Sequence, residues 1–413
     1  MNRREFLRNA LMASGASLLT VGTRGWAARL SEAVGGNRRL IVVFLRGAVD
    51  GLNVVVPYAD DRYYEARPTI AIAKAGQDGG VSDLDGYFGL HPALSSLLPW
   101  WQNKTLAFVQ ASGSPDPNRS HFEAQNYMET GTPGDTHTSD GWMNRLLGVL
   151  PGPHAPTEAL SLGPTVPRIL SGPNAVSNLP LGRNAGHPMP LDRPRIVDAF
   201  ATLYQGNTAV DRAFAEGQAA RGQLMMDLQK DMNDSYNGAP PVIGFGNDTQ
   251  RLAQLMAGDN GIRLAFLAVG GWDTHVGEGS AQGQLVNHLQ ALGDGLAALV
   301  QGLGSAYDDT AILVMSEFGR TFRENGNAGT DHGHGNVMWL LGGRVNGGKV
   351  HGEWPGLADE QLYQNRDLAV TTDFRQVIAS VLARHLRLPD ATLGRVFPDG
   401  LGAGAELPAL LNA

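Results

Sequence analysis

Five apolar runs without polar alternation punctuate the chain, at residues 40–45, 106–109, 264–269, 311–315 and 337–341. A strand with one wet face alternates apolar and polar residues, so unbroken runs of this length predict strands covered on both faces. Helical spacing fills much of the intervening chain, over about 92–101, 120–128, 142–150, 282–303 and 373–385, and a short strand fits 159–162. Strands alternating with helices predict an α/β fold with a mostly parallel sheet. Residues 150–190 are rich in Pro, Gly and Asn and read as irregular loop around that short strand. From about 193 to 256 helical spacing dominates, with a long amphipathic stretch at 210–232, which predicts a helical insertion or lid.

Three of the apolar runs lead into an acid: Leu45 precedes Asp50, Val269 precedes Asp273, and Met315 precedes Glu317. Ligands of open parallel sheets bind beyond the carboxyl ends of the strands, so these acids are expected at one edge. The second run, ending at Val109, sends Ser120 and His121 toward the same edge through a longer loop. His275, Asp331, His332 and His334 join them, the last three set among glycines in Gly329-Thr330-Asp331-His332-Gly333-His334-Gly335. Acids and histidines gathered this way repel or bond poorly unless a cation lies between them. Oxygen and imidazole donors on a glycine-flexed backbone suit a divalent metal such as Zn, Mn, Mg or Ca. Taken alone, the histidine loop is equally a hydrogen-bonded surface loop. Arg46 and Arg320 are placed either to hold a substrate oxyanion or to pair with a carboxylate. Asp116, Arg119 and His121 are candidates for binding substrate, although Asp116-Pro117-Asn118 is also ordinary turn chemistry.

The amino terminus changes the picture again. Paired arginines in Asn2-Arg3-Arg4-Glu5-Phe6-Leu7-Arg8, a weakly apolar segment to Val21 and Gly25-Trp26-Ala27-Ala28 describe a twin-arginine export signal over residues 1–28. The mature chain, 29–413, is then expected in the periplasm or outside the cell, with the export machinery as a transient partner. No later segment has the roughly 18 consecutive apolar residues that a membrane-spanning helix needs. The net charge of -8, without clustered Lys and Arg, argues against a nucleic-acid partner. The chain has no cysteine, which excludes thiolate zinc, iron–sulfur ligation and a cysteine nucleophile.

Taken together, the motifs resemble those of the bacterial domain-of-unknown-function family 1501, exported proteins related to the alkaline-phosphatase and sulfatase superfamily. The resemblance spans nearly the whole chain. It rests on the leader, on Phe44-Leu45-Arg46-Gly47-Ala48-Val49-Asp50-Gly51 and on Ser114-Pro115-Asp116-Pro117-Asn118-Arg119-Ser120-His121-Phe122. Further on it rests on Gly271-Trp272-Asp273-Thr274-His275, Ser316-Glu317-Phe318-Gly319-Arg320-Thr321 and the histidine loop, then on Trp354-Pro355-Gly356 and Thr371-Thr372-Asp373-Phe374-Arg375. It implies a three-layer, alkaline-phosphatase-like sandwich holding one or two divalent ions. Asp50, Asp273, His275 and either His332 or His334 match the superfamily's ligands, and Ser120 its nucleophile. Glu317-Phe318 departs from it, standing where the superfamily has Asp-His. Phenylalanine cannot ligate, so the second ion is either rebuilt from the extra histidine of the 331–334 loop or lost. The implied activity is hydrolysis of a small-molecule or polymer-borne phosphate or sulfate ester, with Ser120, His121 and Arg320 as catalytic candidates. The implied ligands are Asp50, Asp273, His275, Glu317, Asp331, His332 and His334. The alternative is an exported protein of the same fold that binds metal without catalysis, in a binding or assembly role.

Overall fold

The computed structural model describes residues 38–152, 154–163, 165–179, 245–258, 261–401 and 409–412, with positions 206, 208 and 212. The export signal and most of the expected 193–256 insertion lie outside these residues. Nine strands make one sheet: β1 (Arg39–Arg46), β2 (Leu106–Gly113), β3 (Ala159–Leu162), β4 (Ser177–Leu179), β5 (Leu264–Gly270), β6 (Thr310–Ser316), β7 (Asn336–Gly342), β8 (Lys349–His351) and β9 (Thr372–Asp373). Their order is β8-β2-β7-β6-β1-β5-β3-β4, with β9 paired to β2. All pairings in this sheet are parallel except the two made by β7, which runs antiparallel to both β2 and β6. The apolar run of β7 gave no hint of this reversal, because burial on both faces looks the same in either direction.

Alternate residues of β1 feed two different cores. Ile41, Val43 and Leu45 pack with Leu252, Leu289 and Leu296, which come from the helices α2 (Phe245–Ala257) and α3 (Gln284–Leu303). Leu40, Val42 and Phe44 pack on the opposite side with Trp142, Val377 and Phe397, Val377 lying on α4 (Phe374–Ser380). The result is a three-layer α/β sandwich. Each fully buried Ile, Leu or Phe in it contributes roughly 2 kcal/mol relative to an exposed side chain. The strand runs were apolar throughout because both sheet faces are roofed.

The helix that matters most for the site is α1 (His121–Thr130). Ser120 is its N-cap residue in extended conformation, and Gly131 ends it in the left-handed region (φ 71°), its N–H returning to the Tyr127 carbonyl. Glycine takes that conformation at low cost, so the helix stops there. Among the described residues no helix is long and apolar enough to cross a membrane.

Candidate metal centre

The sheet register sets the site. Arg46 pairs with Gly270 and Leu45 with Ser316, so β1, β5 and β6 end level and release Gly47, Gly271 and Glu317 at one edge. Gly47 has φ 117°, and a Cβ there would lie 2.8 Å from the Asp273 nitrogen. Only glycine allows the chain leaving β1 to press against the loop leaving β5. The loops after β6 and before β7 meet in a short antiparallel pairing of Arg320 with His332. Thr321 N–H donates to the Asp331 carbonyl (2.9 Å) and Gly333 N–H to the Gly319 carbonyl (2.8 Å). A Cβ on Gly333 would come 2.3 Å from the Arg320 carbonyl group, so this crossing also requires glycine.

Four side chains converge where these loops meet α1. His332 Nε2 is 3.0 Å from His121 Nε2, 3.0 Å from His275 Nε2 and 3.3 Å from Asp273 Oδ1. Asp273 Oδ1 is in turn 3.5 Å from His121 Nε2 and 3.0 Å from His275 Nε2. The far nitrogen of each ring meets an acceptor: Glu317 Oε1 at 2.7 Å from His121 Nδ1, Asp331 Oδ1 at 3.2 Å from His275 Nδ1, and the Arg119 carbonyl at 2.9 Å from His332 Nδ1. An acceptor-only partner fixes the proton on Nδ1, so each Nε2 turns a lone pair into the shared space. Lone pairs this close are stable only around a proton or a cation.

His121, Asp273 and His332 bring their donor atoms within 4.8 Å of one another, the spacing of a group able to hold an ion. Bonds of 2.0–2.2 Å in a tetrahedral shell separate ligand atoms by roughly 3.3–3.6 Å, close to the spacings here. His275 flanks this triangle across the Asp273–His332 edge. Three protein donors leave a further position open, as in catalytic rather than structural sites.

Glu317 is fully buried behind His121 and is not part of the converging set. Its Oε1 accepts from His121, from Gly47 N–H (2.8 Å) and from Gln125 Nε2 (2.9 Å). Burial raises the pKa of its carboxyl, but these donors outweigh it, beginning with His121, and leave it below the ordinary value. The same bond to Glu317 raises His121, whereas His332 is lowered, by burial first and then by the His121 charge. Burial pushes Asp273 up, yet Arg320, with His275 and His121 after it, outweighs this and leaves the carboxyl below its ordinary value. Arg320 is buried, donates from Nη1 to Asp273 Oδ1 (2.8 Å), and keeps Nε and Nη2 without a partner. Asp331 is lowered chiefly by its bond from Asn325.

The other expected site residues lie apart from this convergence. Asp50 is buried in an ion pair with Arg67 (2.5 Å), and its Oδ1 accepts from Leu52 N–H at the start of a short helix. The cation opposite Asp50 is therefore a guanidinium, supplied by a residue that sequence reading had not singled out. His334 stacks on Tyr363, with ring centroids 4.4 Å apart, and burial with the nearby Arg119 charge pulls its pKa to about 4. It does not rebuild a second set of ligands. Phe318 packs its ring against His121 and His332, at 4.9 and 5.1 Å, and so fills space between two candidate ligands. Ser120 is exposed, one residue before His121, with no side-chain capping bond. His121, expected as a catalytic or substrate-binding residue and not as a ligand, belongs among the converging donors.

Sequence reading also missed the support beneath the loops. Glu278, fully buried, accepts from the Thr274 hydroxyl (3.0 Å), the Thr330 hydroxyl (2.8 Å) and Asn53 Nδ2 (2.9 Å). It thereby ties the loop carrying Asp273 and His275 to the loop carrying Asp331 and His332. Burial first, then the Asp50 charge, raises the Glu278 pKa well above its ordinary value. Arg67 adds bonds to the carbonyls of Thr321 and Phe322 (both 2.9 Å).

A model of the family described as "Protein of unknown function (DUF1501)" matches residues 91–399. The chain belongs to this family. No curated protein matches the sequence. Among solved structures, the chain is similar to the C-terminal periplasmic domain of EcEptC from Escherichia coli, crystallised with Zn, at 11% identity and TM-score 0.35, covering 74% of this chain and 72% of that one. It is similar to the lipoteichoic acid synthase LtaP from Listeria monocytogenes at 11% identity and TM-score 0.32, covering 78% and 70%. A protein in the alkaline phosphatase superfamily from Vibrio parahaemolyticus matches at 12% identity and TM-score 0.32, over 77% of this chain and 64% of that one.

Proposed function

We propose that this DUF1501 protein is an exported, metal-dependent hydrolase of phosphate or sulfate esters. The observation that supports this most is the meeting of three Nε2 atoms and one carboxylate oxygen, each imidazole anchored from behind by an acceptor. His121, Asp273 and His332 would hold the ion and leave one position open, with His275 beside them on the Asp273–His332 edge. Imidazole donors favour Zn or Mn over Mg and Ca, which prefer oxygen donors. The bound ion would act as a Lewis acid and neutralise charge developing on the ester.

The chain's own residues supply the rest. Glu317, Asp331 and the Arg119 carbonyl hold the three rings in their ligating tautomer. Arg320 places a fixed positive charge against Asp273 and keeps two nitrogens, Nε and Nη2, without a partner, a setting that favours an oxyanion over a neutral substrate. Ser120, exposed at the start of α1, carries a hydroxyl free of capping duty and is the candidate to attack the ester centre. Export through the twin-arginine route would deliver the folded protein to the compartment where such esters are met.

The test is turnover of aryl phosphate and aryl sulfate by the mature protein with Zn or Mn added, beside His332→Ala and Ser120→Ala. Ion-dependent hydrolysis lost in both variants supports the proposal. Stoichiometric ion with no turnover of either ester would instead favour the non-catalytic, metal-binding reading.

A further inference from the structure

A cavity of about 550 Å³ opens on the flank of α1 beside the candidate metal centre. Its volume lies within the range of small-molecule sites, roughly 300–1,000 Å³. Phe122, Asn126 and Glu129 line it at helical spacing, joined by Glu123 and Gln125 and, from outside the helix, by Arg46 and Arg168. Gln125 belongs to both places, because its Nε2 bonds the Glu317 oxygen that also holds His121. Phe122 directly follows His121 and is 85% exposed. Among the described residues only two other large apolar side chains, Val166 and Val276, are exposed. A bare aromatic ring at the rim of a cavity is an unpaired binding face.

The charges along the rest of the lining balance, two arginines against two glutamates. Arg46 is paired with Glu129 (2.6 Å), and the positive charge of Arg168 is balanced by the negative charge of Glu123, which accepts from the Asn118 amide. No net charge remains to draw an anion into this cavity. Fork-shaped donors and acceptors, together with amides from Gln125 and Asn126, suit vicinal hydroxyl groups, and one aromatic face suits the apolar face of a pyranose ring. A lipid chain would want a continuous apolar lining, which the two arginines and two glutamates interrupt.

We propose that this cavity is a carbohydrate subsite, which seats a neutral sugar ring on Phe122 while an ester borne by the sugar reaches the centre at His121. The assignment rests on the hydrolase reading for the ester, but the sugar contact stands on the cavity alone. The substrate class is then a phosphorylated or sulfated glycan.

The experiment measures binding of the ion-loaded mature protein to an array of neutral, sulfated and phosphorylated oligosaccharides, with turnover of the esters followed in parallel. Wild type, Phe122→Ala, Phe122→Trp and Asp273→Ala are compared. Phe122 is exposed, so its truncation leaves the fold intact. Glycan binding is expected to weaken about tenfold or more in Phe122→Ala, the scale of losing one aromatic face, and to return in Phe122→Trp. Asp273→Ala should stop turnover yet keep affinity for neutral glycans. Phe122-dependent glycan binding without ester turnover upholds the subsite and fails the hydrolase reading. Turnover of aryl esters with no glycan bound overturns the subsite and leaves the hydrolase standing. Glycan binding indifferent to Phe122 also overturns it.

Discussion

Glu317→Gln separates the charge behind His121 from the shape that carries it. Oε1 takes the three bonds from Gly47, His121 and Gln125, whereas Oε2 faces only the Ser316 hydroxyl (3.1 Å). A glutamine can keep its carbonyl oxygen in the Oε1 position and turn its amide toward Ser316 Oγ, which is able to accept. Sterics and hydrogen-bond count are therefore retained, and the negative charge is lost. Bonds to a charged group contribute about 1 kcal/mol more than neutral ones, but the buried carboxylate also loses its desolvation cost, so stability should change by at most about 2 kcal/mol. Ion affinity should fall much further. Removing such a supporting partner costs about 10–100-fold, or roughly 1.4–2.7 kcal/mol, because the imidazole becomes less basic and less firmly oriented. Competitive zinc titration at pH 7.5 reads the affinity, and urea unfolding in chelator reads the stability. A folded Glu317→Gln protein that binds zinc within twofold of wild type would refute the placement of His121 in the shell.

Gly333→Ala should lower stability by about 2 kcal/mol and weaken zinc binding more than tenfold, since the added methyl meets the Arg320 carbonyl group and forces the two loops apart; thermal unfolding and zinc titration check both. Acid should destabilise the fold apart from any metal effect. Burial holds His91 and His385 neutral, with pKa values of about 4 against an ordinary 6.5. The unfolded chain takes up these protons first, so their contribution is complete above pH 6.5 and is lost as pH falls toward 4, by about 3 kcal/mol each. Urea midpoints between pH 4.5 and 7 measure this limb, and His385→Gln should flatten it.

Much of the architecture was legible because covered strands announce themselves. The runs at 40–45, 264–269 and 311–315 became β1, β5 and β6, and their level ends brought Asp273 and Glu317 to one edge as expected. The finer assignment was not legible. Asp50 follows its strand in the same manner as the other acids, but Arg67, seventeen residues later, takes its charge, and no local pattern marks that pairing. Similarly, His332 and His334 are alike in sequence, and only the Arg320–His332 crossing and the Tyr363 ring distinguish them. The work of Glu278 depends on two threonine hydroxyls 56 residues apart in sequence, Thr274 and Thr330, which meet only in the fold.

The most direct measurement is the metal content of the purified mature protein by elemental mass spectrometry, for wild type, His121→Ala, Asp273→Ala, His332→Ala and His334→Ala. The structure predicts about one zinc or manganese per chain in wild type and in His334→Ala, and loss of the ion in the other three. A protein that stays metal-free after reconstitution, or an ion that leaves with His334 and survives removal of His121, would contradict the account.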